Sequence, residues 1–198
     1  MSNAEDFDIL VAGAGPAGLM TACLLATLGL RAVCVGPRPS PGAQRDNRTT
    51  ALFQGAIRLL EKVGAWEALK PDAAALSVMR IVDCCGRETY PSIIDFPASE
   101  IGDAPFGYNI VNRNLTDVLA RRAEALGMPL VDDHVAAYEI SDDAVRVHLA
   151  AGNSLKARLI IAADGRASPA RASAGIQARQ WEYGQTATVF TVEQQHPP

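Results

Sequence analysis

A short glycine-rich segment between an apolar strand and an apolar helix constrains the fold of this chain most. Residues 7–11 form an apolar run, and the segment Gly13, Ala14, Gly15, Pro16, Ala17 and Gly18 follows almost directly. Residues 17–28 are nearly all apolar or small, which predicts a helix buried on every side. Residues 32–35 predict a second strand. Together these elements form a βαβ unit, which requires a parallel sheet and a right-handed crossover, so the predicted fold class is α/β.

Each glycine of this turn has a separate predicted role. Gly13 permits the tight turn out of the strand, Gly15 lets the backbone approach a pyrophosphate, and Gly18 lets the helix pack on the strand. The helix N-terminus then offers unpaired N–H groups to the phosphates. The alternative is a glycine-rich turn without a ligand. Gly36 stands where an acidic residue usually binds the adenosine ribose, which counts against NAD, and Asp46 lies too deep in the following loop to replace it.

The middle of the chain predicts a helix, then part of a second sheet, then another helix. Residues 36–48 have no periodicity and predict a loop, and residues 53–63 predict a helix. Prolines break residues 76–110 into short strands, which favours an inserted antiparallel sheet with a turn at 83–86. Cys84 and Cys85 in that turn could instead form a redox pair. Asn114 is predicted to cap the next helix, with Asp117 as its capping-box partner and an apolar stripe at Leu115, Val118, Leu119, Ala123 and Leu126.

The last part of the chain predicts a hairpin, a strand and a capped helix. Residues 135–140 and 144–149 alternate like two paired strands, and the apolar residues 157–163 run into Asp164 and Gly165. Ser168 followed by a proline is typical of a helix start, and residues 186–192 predict a further strand. A carboxylate at the carboxyl end of a parallel strand lies where open α/β sheets bind ligands, so Asp164 is a candidate site residue. The alternative is a simple Asp-Gly turn.

Composition excludes several classes of protein. The chain has 198 residues, 48% of them hydrophobic, and a formal net charge of -4. This excludes a disordered chain and makes a nucleic-acid partner improbable, because phosphate binding needs a basic face. No apolar run approaches the roughly 20 residues of a membrane-spanning helix, and the start does not resemble a signal peptide, so we expect a cytoplasmic protein with reduced cysteines. Neither a Ser-His-Asp set nor metal-ligand spacing is apparent.

Five segments in the same order resemble the group A flavoprotein monooxygenases. They are residues 13–18, 46–52, 60–69, 106–110 and 161–168. Among these enzymes the chain resembles most the aromatic-ring hydroxylases of ubiquinone biosynthesis, of the 2-polyprenyl-6-methoxyphenol hydroxylase type. The resemblance implies a three-layer, Rossmann-like FAD/NAD(P)-binding domain over residues 5–75 and 111–180. It also implies part of an antiparallel substrate-domain sheet over residues 76–110 and 181–198.

The resemblance also implies a set of FAD-binding residues, although it assigns no catalytic residue. Asp164 and Gly165 would lie by the flavin pyrophosphate. Arg48, with Arg45 as a second candidate, would lie near the flavin, and so would Arg113. The alternative for Arg45 and Arg48 is a solvated loop arginine, and the alternative for Arg113 is a surface cation. The complete set is Gly13, Ala14, Gly15, Pro16, Ala17, Gly18, Arg45, Arg48, Arg113, Val135, Asp164 and Gly165.

The activity implied by the resemblance is hydroxylation of a phenolic ring. FAD would be reduced by NADH or NADPH and react with O2, and the site would exclude water. A polyprenyl substrate would imply peripheral contact with a membrane. The family's sequences continue beyond this chain, so we expect an N-terminal portion with little hydroxylase activity and weak FAD binding of its own. The alternatives are a non-hydroxylating flavoprotein of the same fold, such as a reductase or halogenase, and a non-catalytic dinucleotide-binding module.

Overall fold

A computed structural model describes residues 5–38, 48–83, 92–102 and 104–186 of the chain. The strands are β1 Glu5–Ala12, β2 Ala32–Val35, β3 Thr49–Phe53, β4 Ala74–Leu76, β5 Val78–Asp83, β6 Ser92–Pro97, β7 Gly107–Val111, β8 Leu130–Val131, β9 Val135–Ile140, β10 Val145–Leu149 and β11 Ser154–Ala162. The helices are α1 Pro16–Thr27, α2 Gln54–Lys62, α3 Trp66–Leu69, α4 Asn112–Ala125 and α5 Pro169–Ser173. Single 3-10 turns lie at Lys70–Asp72 and Ala98–Glu100.

The central sheet has six strands in the order β8-β2-β1-β11-β10-β9. The first four are parallel, with Ile9 of β1 opposite Ala32 of β2 on one side and Leu159 of β11 on the other. The last three form an antiparallel meander, because β10 pairs antiparallel with both β11 and β9. The predicted α/β class, the βαβ unit and the hairpin at residues 135–149 are therefore confirmed.

Two apolar clusters cover the two faces of this sheet. On one face, Val11 and Cys34 pack with α1 and α4, and Cys23 contributes from α1. On the other face, Leu10 and Val33 pack with residues of β10, including Val147. Neighbouring residues of β1 thus point to opposite sides, as the pleat of a strand requires. Helices thus cover one face of the parallel strands, and β10 of the meander packs against the other face.

A smaller sheet in the order β3-β7-β4 leads directly into α4. Its strand β3 was not predicted, and Phe53, which was assigned to the helix, ends that strand. The predicted cap at Asn114 is wrong, because α4 begins at Asn112 with Val111 in the capping position. The Asn114 amide instead donates to Asp72 at 3.2 Å. The predicted apolar stripe does face the core, with Leu115, Leu119 and Ala123 buried.

Strands β5 and β6 pair with each other as a separate two-stranded antiparallel sheet. Asp83, which was predicted to begin the turn, is the last residue of β5 and pairs with Ser92. Along one face lie four apolar side chains, which we call the apolar ribbon: Met79, Ile81, Ile94 and Phe96. They are between 39% and 54% exposed.

Several predicted features lie outside the described residues. These are Arg45, Asp46, Cys84, Cys85 and all but the first residue of the strand predicted at 186–192. Within the described ranges, Cys23 and Cys34 are free and buried. None of the helices described has the length and the apolar character needed to cross a membrane.

Candidate functional site: a cleft at the carboxyl ends of the parallel strands

The glycine turn is shaped by two close backbone contacts. Gly13 has a φ of +114°, and a Cβ atom there would lie 2.3 Å from the carbonyl oxygen of Ala163. A Cβ atom at Gly18 would lie 1.8 Å from the carbonyl oxygen of Gly13. Both glycines are therefore required for the strand, the turn and the helix to pack together. A Cβ atom at Gly15 would meet nothing within 4 Å, so this glycine leaves space beside the backbone.

Helix α1 presents its N-terminus at this space. Gly15 is the N-cap residue with no side-chain cap, and Pro16 occupies the first helical position. The first amides of a helix have no partner within the helix, and the helix dipole places partial positive charge at the same end. The turn therefore offers donors and positive potential to an anionic group such as a pyrophosphate.

A cleft of about 690 Å³ opens above the carboxyl ends of β1, β2, β8 and β11. It brings together predicted site residues that are far apart in sequence, namely Gly13, Ala14, Gly15, Val135, Asp164 and Gly165. Gly36 and Arg38, which follow β2, also line it. The other residues predicted from the first turn of α1, Pro16, Ala17 and Gly18, do not line the cleft. The cleft is large enough for part of an extended dinucleotide.

Gly36 stands where a dinucleotide-binding fold usually has an acidic residue. The packing around Gly36 explains why this position has no side chain. A Cβ atom at Gly36 would lie 2.3 Å from the backbone nitrogen of Ala14. The Gly36 amide donates to the carbonyl oxygen of Val131 at 3.0 Å, which ties β2 to β8. Any carboxylate serving this end of the cleft must therefore come from another strand. Asp133, which follows β8 and lines the cleft, is such a carboxylate.

Asp133 and Arg38 were not identified from the sequence. The Asp133 carboxylate accepts from the amides of His134 at 2.7 Å and Ala151 at 3.2 Å. The Arg38 backbone amide donates to Asp132 Oδ1 at 2.8 Å, and its guanidinium pairs with Glu124 at 2.9 Å. The useful signal in the sequence was the position of each residue, directly after a strand of the parallel sheet.

Asp164 has one carboxylate oxygen bound and one free of protein partners. Its Oδ2 accepts from the backbone amide of Ala170 at 2.9 Å, in the first turn of α5. Its Oδ1 is buried and has no hydrogen-bond partner among the described residues. The predicted cap at Ser168 is confirmed, because its Oγ accepts from the amide of Arg171 at 3.0 Å. Asp164 is thus held rigidly with a free acceptor.

Tyr138, on β9, has a buried hydroxyl that also lacks a partner among the described residues. Burial, and secondarily the negative charge of Asp164, raises the pKa of the Tyr138 phenol to about 12. The phenol is therefore protonated and able to donate at any physiological pH. In the sequence, only the alternation of its strand distinguishes this residue.

The two described arginines among the predicted site residues do not line the cleft. Arg48 precedes β3, and its carbonyl oxygen accepts from the amide of Asn112 at 2.9 Å. Arg113 is exposed in the first turn of α4, one turn before Thr116, which does line the cleft. Both arginines therefore lie near the start of α4, outside the lining of the cleft. Arg45 lies outside the described residues.

Comparison with known proteins gives one consistent result. A family model described as an FAD binding domain matches residues 6–198. Ubiquinone hydroxylase UbiL of Rhodospirillum rubrum is 34% identical over 94% of this chain and 43% of its own length. Ubiquinone hydroxylase UbiM of Neisseria meningitidis is 31% identical over 96% of this chain and 43% of its own. The chain therefore spans less than half the length of these relatives.

The fold also matches solved structures. The crystal structure of p-nitrophenol 4-monooxygenase PnpA from Pseudomonas putida superposes with a TM-score of 0.72, at 21% sequence identity. The match covers 86% of this chain and 44% of that protein. At this identity the match establishes the fold alone.

Proposed function

The chain belongs to the FAD-binding domain family, and on this premise we propose that it is the FAD-binding part of a flavin-dependent aromatic hydroxylase. The observation that carries the proposal is the cleft, which joins a glycine turn at a helix N-terminus to a buried carboxylate with a free oxygen. This donor and acceptor set fits a dinucleotide, which carries both phosphates and sugar hydroxyls.

The described residues suit FAD at several points. The open space at Gly15 and the N-terminus of α1 would hold the pyrophosphate. Val135 would border the adenosine half, and Asp164 and Gly165 would lie beside the pyrophosphate. Arg48 and Arg113, near the start of α4, and Arg45 would add positive charge near the flavin. When bound, FAD would supply the redox chemistry with O2, while the protein binds, orients and shields it from water.

We further propose an electron-rich phenolic ring bearing a polyprenyl chain as the substrate, with NADH or NADPH as the reductant. The names of the two curated relatives, both ubiquinone hydroxylases, support this substrate class.

A polyprenyl substrate would be met at a membrane surface, so we propose a cytoplasmic protein with peripheral membrane contact. The apolar ribbon supports this, because exposed apolar patches mark interaction sites. The Ile81→Ser/Ile94→Ser variant should sediment less with neutral phospholipid vesicles than the wild type. Equal sedimentation would contradict the role of the ribbon.

The first test of the proposal is titration of the chain with FAD, followed by flavin fluorescence. Gly15→Ala places a methyl group in the space assigned to the pyrophosphate and should weaken FAD binding by at least about tenfold, or about 1.4 kcal/mol. The matched control is Gly102→Ala, since a Cβ atom there also meets nothing within 4 Å. Gly102 lies outside the cleft, so its substitution should leave FAD affinity unchanged. A wild-type chain that is folded but binds no FAD would contradict the proposal.

The second test concerns the reaction itself. A polyprenyl phenol incubated with the longer protein, NADH or NADPH and ¹⁸O2 should yield a product carrying one ¹⁸O atom, measured by mass spectrometry. Oxidation of the reductant without incorporation of the label would instead support a non-hydroxylating flavoprotein of the same fold.

A further inference from the structure

Two buried polar atoms near the cleft have complementary hydrogen-bonding capacity. The Tyr138 hydroxyl and Asp164 Oδ1 are buried, and neither has a partner among the described residues. A phenol donates one hydrogen bond, whereas an ionised carboxylate only accepts. Leaving such groups buried and unpaired is unfavourable, so each such case in a folded protein requires an explanation.

The two residues also line the same two spaces. Both line the cleft assigned to FAD, and both line an adjoining cavity of about 500 Å³. Tyr138 comes from the meander, where it pairs with Val147, and its ring packs in the apolar cluster on that face of the sheet. Asp164 comes from the turn after β11 and is fixed by the amide of Ala170. Two separate elements thus contribute a donor and an acceptor to the lining of both spaces.

The chemistry of the pair selects the kind of group that would satisfy it. A phosphate or carbonyl oxygen could accept from Tyr138 but has no proton for Asp164. An ammonium group could donate to Asp164 but could not accept from Tyr138. An alcohol hydroxyl does both at once. The charge of Asp164 also helps to keep the phenol protonated, because it raises the pKa of Tyr138.

We infer that Tyr138 and Asp164 together bind one sugar-type hydroxyl group of a nucleotide, with Tyr138 donating to it and Asp164 accepting from it. The inference rests on the proposed function, because FAD and NAD(P)H are the nucleotides that this cleft would receive. Both carry such hydroxyls, FAD on its ribityl chain and its ribose, and NAD(P)H on its two riboses. Tyr138 is thereby assigned to the ligand-binding set.

The test uses Tyr138→Phe, which removes the hydroxyl and keeps the ring. We expect the Kd of FAD to rise about tenfold, the loss of one hydrogen bond to a ligand. If the hydroxyl belongs to the reductant, the Kd of NADH or NADPH for the FAD-loaded chain rises instead. FMN and ADP, used as probes, separate a ribityl hydroxyl from an adenosine ribose hydroxyl. Tyr183→Phe is the matched control, because Tyr183 is 83% exposed and lines neither space.

A second measurement separates a ligand contact from a structural role. The Tyr138 hydroxyl has no partner among the described residues, so the ligand-free Tyr138→Phe chain should unfold at the same temperature as the wild type or a higher one. In an Asp164→Asn background, the additional effect of Tyr138→Phe on Kd should fall below about twofold, because the shared hydroxyl is already lost.

Three outcomes would overturn the inference. One is unchanged affinity of Tyr138→Phe for FAD, NADH and NADPH. Another is a ligand-free variant that unfolds at a lower temperature or fails to fold, which would show a partner within the protein. The third is full additivity with Asp164→Asn. Failure of the wild type to bind FAD is a different result and would contradict the proposed function itself.

Discussion

The glycine turn and the apolar ribbon are both built from small or apolar residues, but the turn is tightly packed and the ribbon is partly exposed. Around the turn, Gly13, Gly18 and Gly36 touch backbone atoms so closely that no Cβ atom could be added. Along the ribbon, Ile81 and Ile94 pair with each other and remain about half exposed. The comparison teaches that apolar side chains show which residues could be buried without showing that they are. Close backbone contacts, by contrast, show which residues cannot be replaced without disturbing the fold.

The largest expected effect tests the tight contacts. Gly18→Ala should destabilise the chain by about 4 kcal/mol, more than typical overpacking, because the obstacle is a backbone oxygen at 1.8 Å and not a flexible side chain. The free energy of unfolding in urea measures this effect. Gly102→Ala, whose new methyl group meets nothing, is the control and should change stability far less. Equal effects would show that the turn can relax.

The next effect compares a core residue with a ribbon residue. Leu10→Ala should cost about 3 kcal/mol, because this side chain is fully buried between the parallel sheet and the meander. Ile81→Ala should stay within about 0.5 kcal/mol, since the side chain is 50% exposed. Urea unfolding of both variants measures the difference. A large loss for Ile81→Ala would show that the ribbon is packed in solution.

A smaller effect concerns pH and the buried phenol. Because the pKa of Tyr138 is raised to about 12, the phenol keeps its proton in the folded chain at pH values at which it loses the proton in the unfolded chain. The stabilisation from this difference is complete below the ordinary tyrosine pKa of about 10 and is lost as the pH rises towards 12. Urea unfolding between these values should show a steeper decline in the wild type than in Tyr138→Phe. Parallel declines would contradict the shift.

The smallest effect lies on the other side of the two ribbon strands, where Arg80 donates to Asp95 at 2.7 Å. This hydrogen bond, more than the opposite charge, holds the pKa of the Asp95 carboxyl below its usual range. The pair therefore stabilises the folded chain at pH values above the ordinary carboxyl pKa. This stabilisation is lost as the pH falls through the pKa of Asp95 in the folded chain. In Arg80→Gln, the Asp95 midpoint followed by NMR should rise. The same midpoint in both chains would contradict the pairing.

Most of the central sheet and its helices could be predicted because their determinants are local. The strand, turn and helix at residues 7–28 are read from neighbouring residues, and the Ser168 cap was identified from its own dipeptide. Strand β3 was missed because Thr49 to Phe53 run into α2 without a turn residue, and their partner β7 lies more than 50 residues later. Asn114 was misassigned because its amide contacts Asp72, which no local pattern reveals.

Only part of the cleft could be predicted from the sequence. Gly13, Gly15 and Asp164 carry recognisable motifs, so their proximity followed from the parallel sheet. Tyr138 and Asp133 acquire their significance from elements that fold against them. In the sequence, Asp133 is marked only by its position after β8, and Tyr138 only by the alternation of its strand. Their identification required the packing of the meander and β8 against the first strands.

Asp164 also has a consequence for how this chain can change over evolutionary time. One of its oxygens anchors α5 through Ala170, and the other, buried without a partner among the described residues, is the one we assign to a ligand hydroxyl. A replacement must serve the scaffold and the ligand together, and asparagine supplies only one acceptor oxygen while glutamate moves both by one carbon. Ile140 and Ile176 line the adjoining cavity. Adaptation to a new ligand is therefore easier at such positions, where one side chain does not have to anchor a helix and bind the ligand at the same time.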